Sequence, residues 1–152
     1  MRISSWADEP GVVVLPDGRR VRGTGVRRPR AQVGAPDFAV YLLARAPAPT
    51  PWPSRWVAWR DFGLPRCTAD AVAALREAFE RAATERVEIA CAGGVGRTGT
   101  ALALLATMGG ARDRLAPDDA VAWVREHYHR RAVETRRQRS WLRSVAASIG
   151  PT

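Results

Sequence analysis

Residues Val87–Gly110, VEIACAGGVGRTGTALALLATMGG, predict three consecutive elements of secondary structure. The opening VEIA is short, mostly apolar and rich in β-branched residues, which is typical of a buried strand. A glycine-rich bend follows, and the chain then continues as an alanine- and leucine-rich run ended by Gly109 and Gly110, which indicates a helix. A strand, a loop and a helix in this order are the repeating unit of α/β folds.

The bend has the composition of an anion-binding loop. The five residues that separate Cys91 from Arg97 are Ala92, Gly93, Gly94, Val95 and Gly96. Three of them are glycine, so the backbone can curl tightly and turn its amides inward. The following helix adds the partial positive charge of its N-terminus, and the guanidinium of Arg97 can hold two oxygens of a tetrahedral oxyanion. We therefore expect these five residues and Arg97 to bind phosphate.

Two side chains next to this loop indicate covalent chemistry. Cys91 is placed at the mouth of the loop, where a positive field favours the thiolate over the thiol. Thr98 is expected to donate a hydroxyl hydrogen bond to that sulfur. A thiolate that faces a bound phosphate is an activated nucleophile, so the sequence predicts Cys91 as the attacking group.

The residues from Ala90 to Gly99, ACAGGVGRTG, resemble the H-C-x5-R-[ST] signature of the cysteine-dependent protein tyrosine phosphatases, including the dual-specificity branch. The resemblance implies one catalytic domain over residues 1–152, with an α/β fold: a central, mostly parallel, twisted sheet of four to five strands flanked by helices. It also implies hydrolysis of phosphomonoesters through a cysteinyl-phosphate. Ala90 stands where the family has a histidine that braces the loop, so we expect modest activity.

A second resemblance to the same family lies upstream. Trp59–Pro65, WRDFGLP, matches six of the seven places of its mobile acid loop W-P-D-F-G-x-P, with Arg60 in place of the first proline. Displacing an alkoxide or aryloxide from phosphorus leaves negative charge on the departing oxygen, which a carboxylic acid can protonate. Asp61 is the predicted acid. Without the later cysteine and arginine, an aspartate before Gly63 would be interpreted as a turn residue.

A third segment, Val133–Gln138, VETRRQ, looks like the family's V-Q-T-x-x-Q segment, whose glutamines orient the attacking water. Gln138 occupies the second glutamine place and Glu134 the first. Thr135 and Gln138 also have the spacing of a helix capping box. Gln138 is therefore predicted as a capping residue, as a water-orienting residue, or as both.

The rest of the chain is predicted as scaffold. Alternating and apolar runs predict strands, and amphipathic periodicity predicts helices. The strands are predicted at Gly11–Leu15, Arg19–Arg22, Phe38–Ala44 and Arg55–Trp59, and the helices at Thr68–Ala83, Pro117–Arg130 and Thr135–Ser148. Thr68 is the expected N-cap of the first helix. That helix leads into Val87 as a right-handed crossover, which places the loop after the strand at the carboxyl edge of the sheet.

The net charge of +9 comes entirely from arginine, because no lysine is present. A basic surface attracts polyanions, but the arginines are scattered and no ribonucleoprotein or helix-turn-helix motif accompanies them. A phosphorylated protein or another phosphomonoester is therefore favoured over nucleic acid as the partner, and the sequence carries no signal for an oligomeric state. The segment Gly23–Gly34, with Arg27, Arg28 and Arg30, is predicted either to border the phosphate site or to be a solvated charge run.

Other classes of protein are disfavoured by composition. Two cysteines do not make a disulfide framework, and His127 and His129 do not make a zinc site, so neither a metal nor another cofactor is expected. No apolar run approaches the ~18 residues of a membrane span, and the N-terminus lacks the apolar core of a secretory signal. The expected compartment is the cytoplasm. Cys67 is expected to be a buried thiol, with a protective disulfide to oxidised Cys91 as the alternative.

Three alternatives for the function remain. A pseudophosphatase would keep the phosphate-binding loop but turn over poorly, and Ala90 and Arg60 favour it. A phosphatase of phosphoinositides, inositol phosphates or RNA 5'-phosphates would use the same residues. The least favoured is a nucleotide-binding P-loop: GGVGRT looks like its G-G-x-G-K-[ST] core, but Arg97 replaces the lysine and the motif's earlier glycine is not in place.

Overall fold

Five strands form one mixed sheet in the computed structural model, which describes residues 4–30 and 33–149. They are β1 (Val12–Val14), β2 (Arg20–Gly25), β3 (Phe38–Leu43), β4 (Ser54–Ala58) and β5 (Val87–Cys91). Their order across the sheet is β1-β2-β5-β3-β4. Only the β1–β2 hairpin is antiparallel among these pairs. The predicted α/β fold with a mostly parallel sheet is confirmed.

Four helices accompany the sheet: α1 (Thr68–Arg81), α2 (Gly96–Ala106), α3 (Pro117–His127) and α4 (Arg136–Ile149). Several predicted helix ends differ from the structure, and α1 ends at Arg81 rather than Ala83. Cys67, not Thr68, is the N-cap of α1, and the Thr68 hydroxyl instead accepts a hydrogen bond of 3.1 Å from the indole of Trp141. Helix α3 ends at His127 rather than Arg130.

The core is centred on β5 and α2. All five residues of β5 and every residue of α2 are buried, including three fully buried leucines: Leu102, Leu104 and Leu105. Each buried leucine contributes roughly 1.5–3 kcal/mol through removal of its side chain from water. The strand and the helix of the predicted strand–loop–helix unit are therefore held rigidly, so the loop between them is fixed at both of its ends.

The opposite face of the sheet carries a smaller apolar cluster of Ala39, Tyr41 and Ala90. Tyr41 of β3 lies directly beside Ala90 of β5 in the parallel register. Because β3 and β5 are covered on both faces, both were correctly predicted from continuous apolar runs.

The topology places the segments that follow the parallel strands at one edge of the sheet. β2, β3, β4 and β5 run parallel, so the segments that follow β2, β4 and β5 leave from the same edge. The segment after β4 is closed by a bridge between Trp59 and Pro65. The predicted acid loop and the cysteine–arginine loop are thereby brought together. In the described part of the chain, no helix is both long and apolar enough to cross a membrane.

Candidate active site

The loop from Cys91 to Gly96 curls around a buried sulfur. Sγ of Cys91 accepts a hydrogen bond of 3.2 Å from the backbone amide of Gly94. Gly94 has a φ of +78°, and a Cβ atom there would lie 2.6 Å from the backbone nitrogen of Gly25. Only glycine fits this position, because a side chain would be strained and would collide with β2. The loop is held in a tight curl with an amide directed at the sulfur.

Arg97 connects this loop to the acid loop. Its side chain is buried, and Nη1 donates a hydrogen bond of 2.9 Å to the carbonyl oxygen of Trp59. Nη2 lies 3.6 Å from Oδ1 of Asp61. Since a guanidinium has five N–H donors, Arg97 keeps donor capacity for an oxyanion bound in the loop.

Asp61 lies over Arg97 on an exposed turn. About half of its side chain is exposed, and Oδ1 also accepts the Phe62 amide at 3.1 Å. Phe62 itself has a φ of 60°, which is a strained conformation for a residue with a side chain. The turn is held by the indole of Trp59, which donates a hydrogen bond of 2.7 Å to the carbonyl of Gly63. The structure thus brings the predicted acid within reach of the predicted phosphate-binding arginine.

Gln138 caps α4 and contacts the acid loop. Its Oε1 accepts hydrogen bonds from the backbone amides of Glu134 (2.9 Å) and Thr135 (3.3 Å). The backbone amide of Gln138 in turn donates a hydrogen bond to Oγ1 of Thr135 (3.1 Å). These reciprocal bonds confirm the predicted capping box. Nε2 donates to the carbonyl of Gly63 at 3.2 Å, so the same side chain ties α4 to the acid loop.

Glu134 lies against the N-terminus of α2. A Cβ atom at Gly96 would collide with the carboxylate of Glu134, so a side chain there would displace that carboxylate. Glu134 also lines a cavity of about 330 Å³ beside the acid loop. The other lining residues are Phe62, Arg125, Arg131 and Val133. The segment before α4 therefore forms a wall of the site.

Thr98 does not make the predicted contact with the sulfur. Its Oγ1 lies 3.5 Å from the carbonyl oxygen of Thr24 on the neighbouring strand β2 and donates there. The prediction of a hydroxyl bond to Cys91 is wrong, because the first turn of α2 directs Thr98 toward β2. The Gly94 amide contacts the sulfur instead.

The basic segment after β2 borders the site, as one of the two predictions for it stated. The Val26 amide donates to the carbonyl of Cys91 (2.8 Å), and the Arg27 amide donates to the carbonyl of Ala92 (3.2 Å). These bonds continue the β2–β5 pairing into the loop. Residues 31 and 32 of the predicted segment lie outside the described residues.

Tyr128 is a site residue that the sequence pattern did not reveal. It lies within the predicted helix Pro117–Arg130, but it is the C-cap of α3 and its hydroxyl donates a hydrogen bond to the carbonyl of Gly94. The only sequence signal was the residue type, because a buried tyrosine hydroxyl needs a hydrogen-bond partner that a leucine would not.

The two cysteines are both free. Cys91 is buried, whereas Cys67 is exposed, so the expectation of a buried thiol at Cys67 was wrong. Cys67 begins α1 directly after the acid loop, where its side chain has solvent access. Over residues 4–30 and 33–149, no group of three or more histidine, cysteine, aspartate or glutamate side chains is arranged to hold a metal ion.

The chain is similar to known proteins in sequence and in fold. A family model for protein-tyrosine phosphatases matches residues 45–147. The crystal structure of Tk-PTP in its active form has 24% sequence identity and a TM-score of 0.73, and the match covers 93% of this chain and 100% of that chain. A mutant form of Tk-PTP matches at 22% identity and a TM-score of 0.53, over 74% of this chain and 78% of that chain. A search of curated protein sequences gives no match.

Proposed function

This chain belongs to the protein-tyrosine phosphatase family and is a phosphoric monoester hydrolase, and we propose that it works through a cysteinyl-phosphate formed on Cys91, most readily from protein phosphotyrosine or as a dual-specificity phosphatase. The observation that carries the proposal is the convergence of Cys91, Arg97 and Asp61 at one edge of the sheet, where Arg97 contacts the acid loop through one hydrogen bond and one ion pair. We further propose that residues 1–152 act as one catalytic domain.

The first step transfers the phosphoryl group to sulfur. The loop amides from Ala92 to Gly96 and the guanidinium of Arg97 hold the non-bridging oxygens. The Cys91 thiolate attacks phosphorus while the bond from phosphorus to the leaving oxygen breaks. Asp61 gives its proton to that oxygen, which departs as an alcohol or phenol. The products are the free alcohol, the Asp61 carboxylate and the cysteinyl-phosphate.

The second step releases inorganic phosphate. The Asp61 carboxylate removes a proton from a water molecule, whose oxygen attacks phosphorus as the sulfur–phosphorus bond breaks and the thiolate returns. Gln138 is proposed to orient this water, because its amide nitrogen has two N–H donors and only one is used by Gly63. Gln138 is fully buried, so this role requires the acid loop to move.

The two cysteines provide a matched test. Cys91→Ser should abolish turnover of p-nitrophenyl phosphate, and Cys67→Ser should leave it unchanged, because Cys67 is exposed outside the site. Rapid acid quench with a 32P-labelled substrate should place the label on the Cys91 peptide. Activity should persist in EDTA, which also distinguishes this reaction from a magnesium-dependent nucleotide site. Substantial turnover by Cys91→Ser would exclude the covalent step.

A thiolate nucleophile must stay reduced, which fits the proposal of a cytoplasmic enzyme.

A second substrate class is favoured by one observation. The side chains of Arg27 and Arg28 are exposed in the segment that pairs with the phosphate-binding loop, and Nη1 of Arg27 lies 4.0 Å from the position of a Cβ atom on Gly93. Neither arginine forms an ion pair with any residue that the structure describes. A second anionic group next to the scissile phosphate would find two free cations there.

Substrates of this kind include phosphoinositides, inositol phosphates and RNA 5'-phosphates. The double variant Arg27→Gln with Arg28→Gln should raise KM for an inositol polyphosphate or an oligonucleotide 5'-phosphate while leaving KM for p-nitrophenyl phosphate within about two-fold. Arg112→Gln is the control, because Arg112 follows the opposite end of α2. An equal change of KM for all substrates would contradict a selective role for the basic segment.

A further inference from the structure

The phosphate-binding loop has an unusual neighbour that the reaction described above does not use. We propose that Tyr128 is a positioning residue for the phosphatase reaction: its hydroxyl holds the carbonyl of Gly94, and this keeps the Gly94 amide directed at the sulfur of Cys91. The inference rests on the proposed role of Cys91 as the nucleophile. It assigns to α3 a function beyond packing.

Two consecutive hydrogen bonds join the phenol to the sulfur. The Tyr128 hydroxyl donates to the carbonyl oxygen of Gly94, and the amide of Gly94 donates to Sγ of Cys91 at 3.2 Å. The carbonyl and the amide lie on either side of one Cα atom. A bond at the carbonyl therefore restricts the backbone rotation that would turn the amide away from the sulfur.

The loop needs such a restraint because its backbone is unusually free. Three of its five residues are glycine, and glycine loses more conformational freedom on ordering than any other residue. The residue before the nucleophile, Ala90, has no polar side chain and packs in the small cluster with Ala39 and Tyr41. The strand that leads into the loop thus supplies no side-chain donor at this position, and the restraint comes from Tyr128 across the loop.

The ring of Tyr128 is seated by a glycine of β2. A Cβ atom at Gly23 would lie 2.6 Å from Cε1 of Tyr128, so the absence of a side chain at Gly23 makes room for the ring. The backbone amide of Tyr128 donates to the carbonyl of Val124 at 2.9 Å, which fixes the residue at the end of α3. Both the ring and the backbone are therefore held in place.

The phenol remains a donor throughout the working pH range. Burial raises the pKa of the Tyr128 hydroxyl, the negative charge of Cys91 raises it further, and the nearby charge of Arg28 lowers it by less. The hydroxyl therefore stays protonated when Cys91 is ionised. A protonated phenol next to a thiolate-binding loop can donate, but it cannot act as a base.

Removal of the hydroxyl alone tests the role. In a Cys67→Ser background, Tyr128→Phe should lower kcat/KM for p-nitrophenyl phosphate by about 5- to 10-fold, the equivalent of one hydrogen bond. It should also move the pH midpoint of Cys91 alkylation by iodoacetamide upward, because the sulfur loses an oriented amide. Tyr41→Phe is the matched control, since the Tyr41 hydroxyl accepts a hydrogen bond from Trp52 outside the loop.

A second variant covers the case in which Tyr128→Phe does not fold. Gly23→Ala keeps the hydroxyl but displaces the ring that carries it, and it should produce the same loss of kcat/KM and the same alkylation shift. If Tyr128→Phe or Gly23→Ala matches Tyr41→Phe in both readouts, the positioning role is excluded. If Cys91→Ser retains turnover, the proposed function fails instead, so the two failures are distinguishable.

Discussion

Arg22 and Arg97 are both buried, but their surroundings are opposite. The side chain of Arg22 is 1% exposed and lies between the carboxylates of Glu9 and Glu88. Its guanidinium also donates a hydrogen bond to the carbonyl of Gly34, and its Cζ atom lies 3.9 Å from the centre of the Trp6 ring. The side chain of Arg97 is 4% exposed. It donates a hydrogen bond to the carbonyl of Trp59, and its other neighbour is the half-exposed carboxylate of Asp61, 3.6 Å away.

The difference separates a structural cation from the cation that is proposed to bind the substrate phosphate. Nε lacks an acceptor in both arginines, so the contrast lies at the terminal nitrogens. A buried charge is tolerated only when it is paired and hydrogen-bonded. Arg22 has its anions within the fold, including a fully buried glutamate, whereas Arg97 lacks a buried carboxylate partner in the described parts of the chain. An oxyanion bound in the loop would complete the pairing of Arg97.

The largest expected effect comes from breaking the buried ion pair between Arg22 and Glu88. Glu88→Gln should lower the free energy of unfolding by about 3–5 kcal/mol, because it leaves Arg22 buried without its closest carboxylate. Urea denaturation would measure the change, and kcat of the folded enzyme should stay within a few-fold. Glu77→Gln is the control: Glu77 pairs with Arg55 and Arg81 at the surface of α1 and should contribute at most about 1 kcal/mol. A loss below 1 kcal/mol for Glu88→Gln would contradict a structural role for the pair.

The sequence predicted Arg97 but not the role of Arg22, and the reason is the range of the interactions. The loop around Arg97 is local, because its strand, glycines and helix are consecutive in the chain. The partner of Arg22 is 66 residues away, and a strand pattern does not specify which charges meet across a sheet. Arg22 was therefore predicted only as the last residue of the strand Arg19–Arg22, without a partner.

The same distinction explains the errors within the site. Thr98 was predicted to contact the nearby sulfur, but its hydroxyl lies against Thr24, 74 residues away in the sequence. Tyr128 reaches Gly94 across 34 residues. The capping box of Thr135 and Gln138 was predicted correctly because both residues lie in one helical turn. Local chemistry was predictable, whereas contacts that depend on how the elements pack were not, apart from the approach of Asp61 to Arg97, which the family resemblance implied.

The second prediction concerns Arg97, whose only carboxylate neighbour among the described residues is half-exposed. Arg97→Lys should reduce kcat for p-nitrophenyl phosphate by about 10²–10³-fold, because an ammonium is a point charge that cannot hold two phosphate oxygens and the Trp59 carbonyl together. Its effect on unfolding should be below about 1 kcal/mol, since Arg97 donates a hydrogen bond only to the Trp59 carbonyl among the described residues and its carboxylate neighbour is half-exposed. Arg22→Lys should show the reverse pattern, with lowered stability and retained kcat. A decrease of less than ten-fold for Arg97→Lys would show that the guanidinium geometry is not needed.

The smallest effect on the fold is expected from Asp61→Asn, which makes at Arg97 the same carboxylate-to-amide change that Glu88→Gln makes at Arg22. Asp61 is half-exposed, so the free energy of unfolding should change by less than about 1 kcal/mol. Its effect should be on the chemistry, where loss of the acid lowers kcat for phenyl phosphate by about 10²-fold. The decrease should be smaller for p-nitrophenyl phosphate, because nitrophenolate leaves without a proton.

The pH profile separates an acid from a residue that only holds Arg97 in place. A general acid must be protonated, so activity falls at high pH, and the thiolate requirement gives the opposite limb. Asp61→Asn should remove the alkaline limb and leave the acidic one. If both limbs persist and both substrates lose activity equally, Asp61 serves to orient Arg97. A stability loss as large as that of Glu88→Gln would mean that Arg97, like Arg22, is paired within the fold.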